Sequence, residues 1–422
     1  MTDVNRTVEG VWRIESARLI AGLARIVRDV GLAEDLAQEA LVAALEQWPE
    51  SGVPDSPGAW LMGTAKHRAI DRLRRAEVHE RKTRELGWEI ETRGEADNPD
   101  LAAEIDDPFD DDLLRLIFTT CHPLLSTDAR VALTLRLIAG LTTKEIARAY
   151  LVSETTVAQR IVRAKRTLSV ARVPIEVPDR GELDDRLASV LEVIYLIFNE
   201  GYTATAGDAL IRPELIEEAL RLGRILAELL PTEPEVHGLV ALMELQASRS
   251  RARIGPSGES VRLLDQDRSR WDWLLVGRGL AALDRAQSAS GALGPYALQA
   301  AIAACHARAR VAEDTDWERI VALYDGLAQL LPSPVVELNR SVAIGMAFGP
   351  KAALGLVDAL TSEPALRGYY LLPAVRGDLL AKLGRDDEAR LEFDRAASLT
   401  QNARERAVLL ERMAACSPVN GG

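Results

Sequence analysis

Cysteine is scarce. Cys121, Cys305 and Cys416 lie far apart in 422 residues with no C-x-x-C pair, which excludes a disulfide framework and a zinc cluster and fits a reducing, cytoplasmic compartment. No apolar run approaches the ~18 residues of a membrane span, and Met1 to Gly10 lacks an apolar core behind a basic patch, so neither secretion nor a membrane partner is expected. Aromatic residues are only 5% of the chain, and alternating runs closed by Asn-Gly or Asp-Gly turns are missing, which argues against a strand ladder. Positive charge is also short: 51 Lys and Arg stand against 64 Asp and Glu, a net charge of -13. A free protein that coats DNA through bulk charge is excluded, so any nucleic-acid contact must be local. No P-loop or nucleophile-base pair occurs, and His67, His79, His122, His237 and His306 show no ligand spacing. Catalysis, a cofactor and a bound metal are therefore not expected.

What is present is helical spacing, as in Ile20, Leu23, Val27 and Val30 or in Leu113, Leu116 and Ile117, and the whole chain reads as all-α. Its length suggests about three domains. Charge marks the boundaries. Lys66 to Glu85 carries eight basic residues against four acidic; Glu89 to Asp112 carries eleven acidic against one basic, with Pro99 and Pro108 opposing helix; Thr142 to Arg172 carries seven basic against two acidic. The acidic window reads as an extended linker over 77–111, and Pro174 and Pro178 mark a second linker over 173–182.

The sharpest signal lies between Thr142 and Leu168. Thr142 with Glu145 makes a capping box, starting a helix with Ile146 and Ala149 inward. Ser153 caps a second helix, with Val157, Ile161, Ala164 and Leu168 on one face and Gln159, Arg160, Arg163 and Arg166 on the other. Two short helices joined by a tight turn, the second apolar behind and basic in front, suit insertion into the major groove. There Arg forks onto guanine and Gln pairs with adenine. A merely solvated basic face is the competing reading.

The segment from Glu145 to Leu168, EIARAYLVSETTVAQRIVRAKRTL, resembles region 4 of bacterial sigma factors of the extracytoplasmic-function class. The resemblance implies minus-35 contacts at Ala158, Gln159, Val162 and Arg163, to which Thr155 and Thr156 at the helix start and Arg160 and Arg166 are added. Leu151 departs from it, standing where the turn usually has glycine. Residues 8–76 resemble sigma region 2. The stretch from Ala33 to Pro49, AEDLAQEALVAALEQWP, is similar to the helix that docks on core RNA polymerase, which implies polar contacts from Asp35, Gln38 and Glu39. Its own spacing buries Leu36, Ala40 and Ala43 or Ala44 and leaves those residues with Glu46 outside. The stretch from Pro57 to Arg75, PGAWLMGTAKHRAIDRLRR, resembles the segment that captures and melts the minus-10 element. Lys66, Arg68, Arg72, Arg74 and Arg75 would then hold phosphates. Trp60 serves either as a stacking surface or as core, with Leu61 and Ile70 beside it favouring core. His67 stands where the family often has Asn, beside the flipped base. The acidic linker fits either a solvated tether or a strand threaded along the polymerase RNA-exit path.

Region 4 spans 112–172, and 183–422 exceeds a minimal sigma factor. There a period near that of a tetratricopeptide repeat recurs: Ile320, Tyr324, Leu327 and Pro332, then Ala353, Val357 and Leu360, then Ala389, Phe393 and Ala396, with Gly377, Leu380 and Gly384 in a preceding helix and turn. Ala219, Gly223, Leu226 and Pro231 repeat the offsets upstream, and the stretch 232–300 is irregular. Such helix pairs form a concave surface for a protein or peptide ligand. Two polar clusters contribute Asn199, Glu200, Asp265, Asp267, Arg268 and Arg270, either as a buried ion-pair network at an interdomain seam or as an effector pocket. The combined expectation is a sigma factor with promoter DNA and core polymerase as partners and its own C-terminal repeat domain as regulator. An autonomous helix-turn-helix regulator with a sensor domain is the alternative, as is a repeat scaffold whose N-terminal modules no longer initiate transcription.

Overall fold

The computed structural model describes residues 3–86, 109–150, 152–179, 181–203, 211–256, 259–289 and 292–416. Among the described residues the regular structure is helical, with one isolated bridge between Ile254 and Ser260. The all-α expectation holds. The chain divides into two compact units, Met1–Val193 and Ile194–Gly422.

The first unit contains α1 (Asp3–Val27), α2 (Val30–Ser51), α3 (Pro57–Leu86), α4 (Phe109–Thr120), α5 (Thr127–Leu137), α6 (Thr143–Ala149), α7 (Glu154–Val170) and the first part of α8 (Leu183–Tyr202). The Ile20 to Val30 periodicity crosses a break it did not reveal. Arg28 adopts a left-handed φ of 51°, and Asp29 then caps α2 by accepting from the Leu32 N–H at 2.8 Å. Leu23, Leu36, Trp48, Leu116 and Leu133 are buried in this unit, where α1 packs on α2, α3 and α4, and α2 also meets α7.

Two boundaries move. The linker expected over 77–111 loses both ends, because α3 continues to Leu86 and α4 starts at Phe109. The extension at its first end is a run of good helix formers without Pro or Gly, AEVHERKTREL. The rest of that linker and Leu151 lie outside the described residues. The second boundary falls inside α8 rather than before it. Ser189 Oγ donates to the Cys121 carbonyl at 2.6 Å, Arg186 donates to the Phe118 carbonyl at 3.0 Å, and Arg130 pairs with Glu192 at 3.0 Å. These bonds tie the start of α8 to α4 and α5.

The second unit continues with α9 (Pro213–Leu229), α10 (Pro234–Ala247), an irregular stretch of short 3-10 turns, α11 (Trp273–Ala289), α12 (Pro295–Arg308), α13 (Trp317–Leu330), α14 (Pro334–Phe348), α15 (Pro350–Leu360), α16 (Leu371–Lys382), α17 (Asp386–Leu399) and α18 (Ala403–Ala415). From α12 onward each helix packs on the next, as stacked helix pairs require. The repeated small positions explain the closeness: a Cβ at Gly377 would meet the Phe393 ring at 2.9 Å, and one at Gly238 would meet the Ala297 backbone nitrogen at 2.6 Å. Ala353, Val357, Ala389, Phe393 and Ala396 are all buried.

Candidate nucleic-acid and polymerase interface

Both caps of the helix-turn-helix form as the residue types require. Thr142 accepts from the Glu145 N–H at 3.2 Å while the Glu145 carboxylate accepts from the Thr142 N–H at 2.8 Å, and Ser153 accepts from the Thr156 N–H at 3.0 Å. Val157, Ile161, Ala164 and Leu168 are buried as expected. In α6 the inward partner of Ile146 is Ala147, and Ala149 is only half-buried. On the outer face of α7, Thr155, Ala158, Gln159, Val162, Arg163 and Arg166 are exposed.

Two proposed contacts sit apart from that face. Arg160 points along the flank, 2.7 Å from the Asp128 carboxylate of α5, because it lies ~100° around the helix from Gln159. Thr156 is half-buried, its hydroxyl 2.8 Å from that of Ser153. Val162 is 64% exposed, an apolar side chain among arginines that a thymine methyl would suit.

Region 2 separates its predicted residues in a similar way. At ~100° per residue, Arg68, Arg72 and Arg75 share one side of α3, whereas Trp60, His67 and Arg74 share another, with Lys66 at its margin. Arg68 and Arg72 lie 3.5 and 3.3 Å from the Glu39 carboxylate of α2. All three side chains are about half exposed, so these pairs contribute at most ~1 kcal/mol and yield easily to a phosphate. Trp60 is half-buried, its ring edge-on to the buried Trp48 at 5.4 Å between centroids; Leu61 is buried and Ile70 half-buried. The His67 Nδ1 lies 2.7 Å from the Gly63 carbonyl, which ties the ring back to its own helix.

On α2, Asp35 and Glu39 are exposed and Gln38 is half-buried, donating to Glu34 at 2.7 Å. Val42 and Leu45 are exposed beside them, at 52% and 40%. The sequence reading passed over this pair, although two apolar residues three apart on an acidic helix face were its available signal. It also passed over Glu34. This buried carboxylate lies 2.7 Å from Arg136 Nε of α5 and pairs with Lys165 of α7. Asp112 of α4, also buried, pairs with Arg25 of α1 at 3.2 Å and Arg115 at 2.9 Å. Regions 2 and 4 thus share a buried polar contact within the first unit.

Family models for sigma-70 region 2 and sigma-70 region 4 match residues 14–78 and 115–168. The ECF RNA polymerase sigma factor SigK of Mycobacterium ulcerans is 31% identical over 157 residues, which is 36% of this chain and 78% of that protein. This chain belongs to the ECF sigma factors. The probable ECF RNA polymerase sigma factor SigI of Mycobacterium tuberculosis is 27% identical over 40% of this chain and 57% of its own length. An uncharacterized protein of Rhizobium meliloti is 44% identical over 92% of this chain and 91% of its own, so this sigma factor's full arrangement recurs there. A family of unknown function, DUF6596, matches residues 186–287. No solved structure matches this sigma factor.

The six polar residues expected at a seam or pocket all fall in the second unit and do not form one buried network. Glu200 pairs with Arg212, Asp265 with Arg262 at 2.7 Å, and Asp267 caps a 3-10 turn through the Ser269 N–H at 2.9 Å. Asp265, Asp267 and Arg270 are exposed. Arg268 is buried, but its guanidinium donates to the carbonyls of His306 and Ala309 rather than to either aspartate. Asn199 lines a cavity described below. Sequence neighbours alternate between facing inward and outward in the short 3-10 turns, which dispersed the cluster. Among the described residues no group of His, Cys, Asp and Glu could hold a metal, and no helix is long and apolar enough to cross a membrane.

Proposed function

We propose that this sigma factor docks on core polymerase through α2, opens the minus-10 element with α3 and reads the minus-35 element with α7, under control of its C-terminal helical domain. The observation that carries the reading is the exposed face of α7, where Arg163, Arg166 and Gln159 stand beside Ala158 and Val162 on a helix capped on an apolar back. Such a face offers forked donors for guanine, an amide for adenine and methyl contacts for thymine. In the docking step Val42 and Leu45 supply apolar area and Asp35, Gln38 and Glu39 its polar rim. Release of Glu39 frees Arg68 and Arg72 for phosphates.

The net charge of -13 accords with this division of labour. Recruitment by polymerase raises the effective concentration of two modest DNA-binding surfaces, so neither needs high affinity alone. Such a chain works where its polymerase is, in the cytoplasm. Promoter recognition of this kind adds no chemistry of its own; bond formation belongs to the polymerase.

Run-off transcription with purified core polymerase on fragmented genomic DNA of the same organism tests the proposal. The full chain is compared with a chain ending at Val193, which keeps the bonds from Arg186, Ser189 and Glu192 to region 4. Discrete starts from the full chain support initiation, and a changed yield from the shorter chain supports control by the C-terminal domain. Specific DNA binding without polymerase, with no starts from either chain, sinks it.

A further inference from the structure

The second unit contains a cavity of about 330 Å³ that promoter recognition does not use. Its wall is formed by the last turns of α8, by α10, α12, α13 and α14, by the chain just after α10 and by Leu263 of the irregular stretch. No Asp or Glu lines it, and its one formal charge is Arg249.

Arg249 sits half-buried in that wall. Its Nη2 donates to the Gln246 side-chain oxygen, and its guanidinium lies 5.9 Å from the ring centroids of both Tyr202 and Trp271. Among the described residues it forms no ion pair, whereas other arginines of this unit, such as Arg212 and Arg224, do. Burial lowers its pKa below the usual guanidinium range. A half-buried cation with no ion pair is penalised by partial loss of its hydration, and the two rings offset only part of that.

The rest of the wall suits a partner of opposite sign. His306 is 8% exposed, and among the described residues its Nδ1 has no hydrogen-bond partner. Burial together with Arg249 and Arg268 depresses its pKa to about 4, so the imidazole is neutral. The Tyr324 hydroxyl is pushed up to about 12 by burial and remains a neutral donor. Tyr195, Phe198 and Tyr202 supply flat apolar surface. A cavity of this size, with an aromatic wall beside several polar groups, has the make-up of a small-molecule site.

We propose that this cavity binds a small organic anion, an aromatic monocarboxylate in size and chemistry, whose carboxylate pairs with Arg249 while its ring lies among Tyr195, Phe198 and Tyr202. The ligand supplies a counter-charge for Arg249 and faces the His306 Nδ1. For its biological meaning the site rests on the reading of the C-terminal domain as a regulator. Its binding test needs no polymerase, so failure of one reading is distinguishable from failure of the other.

The test is thermal melting of the full chain with phenylacetate, 4-hydroxybenzoate or indole-3-acetate, each at about 5 mM, beside the matching amides. At least one acid should raise the midpoint by ~2 °C or more while its amide does not. Arg249→Gln should abolish that shift, and its own ligand-free midpoint should equal or exceed the native value, since the substitution removes an uncompensated charge. Tyr324→Phe, which keeps the ring, serves as a second variant and should weaken binding several-fold. Absence of a shift with all three acids, equal shifts with the amides, or an undiminished shift in Arg249→Gln overturns the assignment. A ligand-free midpoint several degrees lower in Arg249→Gln also overturns it, because the guanidinium would then be a structural brace.

Discussion

The carboxylate of Glu34, on the helix assigned to polymerase docking, lies 2.7 Å from Arg136 Nε of region 4, on a helix that packs against the recognition helix. Lys165, on the recognition helix itself, shares the same carboxylate. Glu34 is 3% exposed, so its carboxylate meets these two cations in place of water. Glu34→Gln keeps the shape and removes the charge, leaving two cations facing one amide. We expect a loss of roughly 3 kcal/mol from the first unit, the scale of a broken buried pair. Denaturant melts of the full chain check it, and an unchanged first transition would show that the pairing carries little energy.

Arg163 is exposed on the outer face of α7 and forms no ion pair among the described residues, unlike Arg160. Arg163→Ala should cut minus-35-dependent initiation about tenfold, or ~1–3 kcal/mol of recognition, and leave core binding unchanged. Titration of promoter fragments with and without the minus-35 element measures this. Arg160→Ala should act instead through the Asp128 contact and cost under ~1 kcal/mol of stability.

Val42 and Leu45 are exposed on α2, so replacing them costs the fold little, within about ±0.5 kcal/mol. Val42→Asp with Leu45→Ser should reduce affinity for core polymerase at least tenfold without shifting the melting midpoint. Co-sedimentation with core polymerase and a melt of the free variant separate the two effects.

His306 links pH to stability. Its pKa falls from 6.5 to about 4 in the folded chain, through burial first and then Arg249 and Arg268. The unfolded chain therefore takes up a proton that the folded chain refuses. Stability is full above pH ~6.5 and declines as pH falls toward 4, by roughly 3 kcal/mol over the window. Melts of the native chain and His306→Gln at pH 7.5 and 5 should show the native chain losing more on acidification; parallel losses would discard the assignment.

Gly377 touches Phe393 where a Cβ would come within 2.9 Å. Gly377→Val should overpack the α16/α17 contact and cost ~1–3 kcal/mol, read as a lower midpoint of the second unit in calorimetry.

Local chemistry was legible wherever a residue type has one dominant use. The caps at Thr142, Glu145 and Ser153 and the buried stripe of α7 follow from spacing alone, and so does the core of α2 at Leu36, Ala40 and Ala43. The break at Arg28 was not legible, because arginine carries no preference for a positive φ. Glu34 was hidden for a different reason: a carboxylate on a helix reads as solvated until its partners, 102 and 131 residues away in the chain, are folded against it. The cavity around Arg249 was only partly visible. Asn199 was singled out, but Arg249, His306 and Tyr324 come from three separate segments with no common motif.

The Glu34 pairing sets a toll on separation. The packing of α1 on α4, the Asp112–Arg25 pair and the Glu34 pairs all join regions 2 and 4, so parting them would expose buried carboxylates along with apolar surface. On the proposed function, bare DNA offering one half-site at a time gains little by prying the halves apart, whereas a polymerase that seats both at once would supply the work. Selectivity for the assembled machine over naked duplex would then rest on the whole buried seam, Glu34 and Asp112 included.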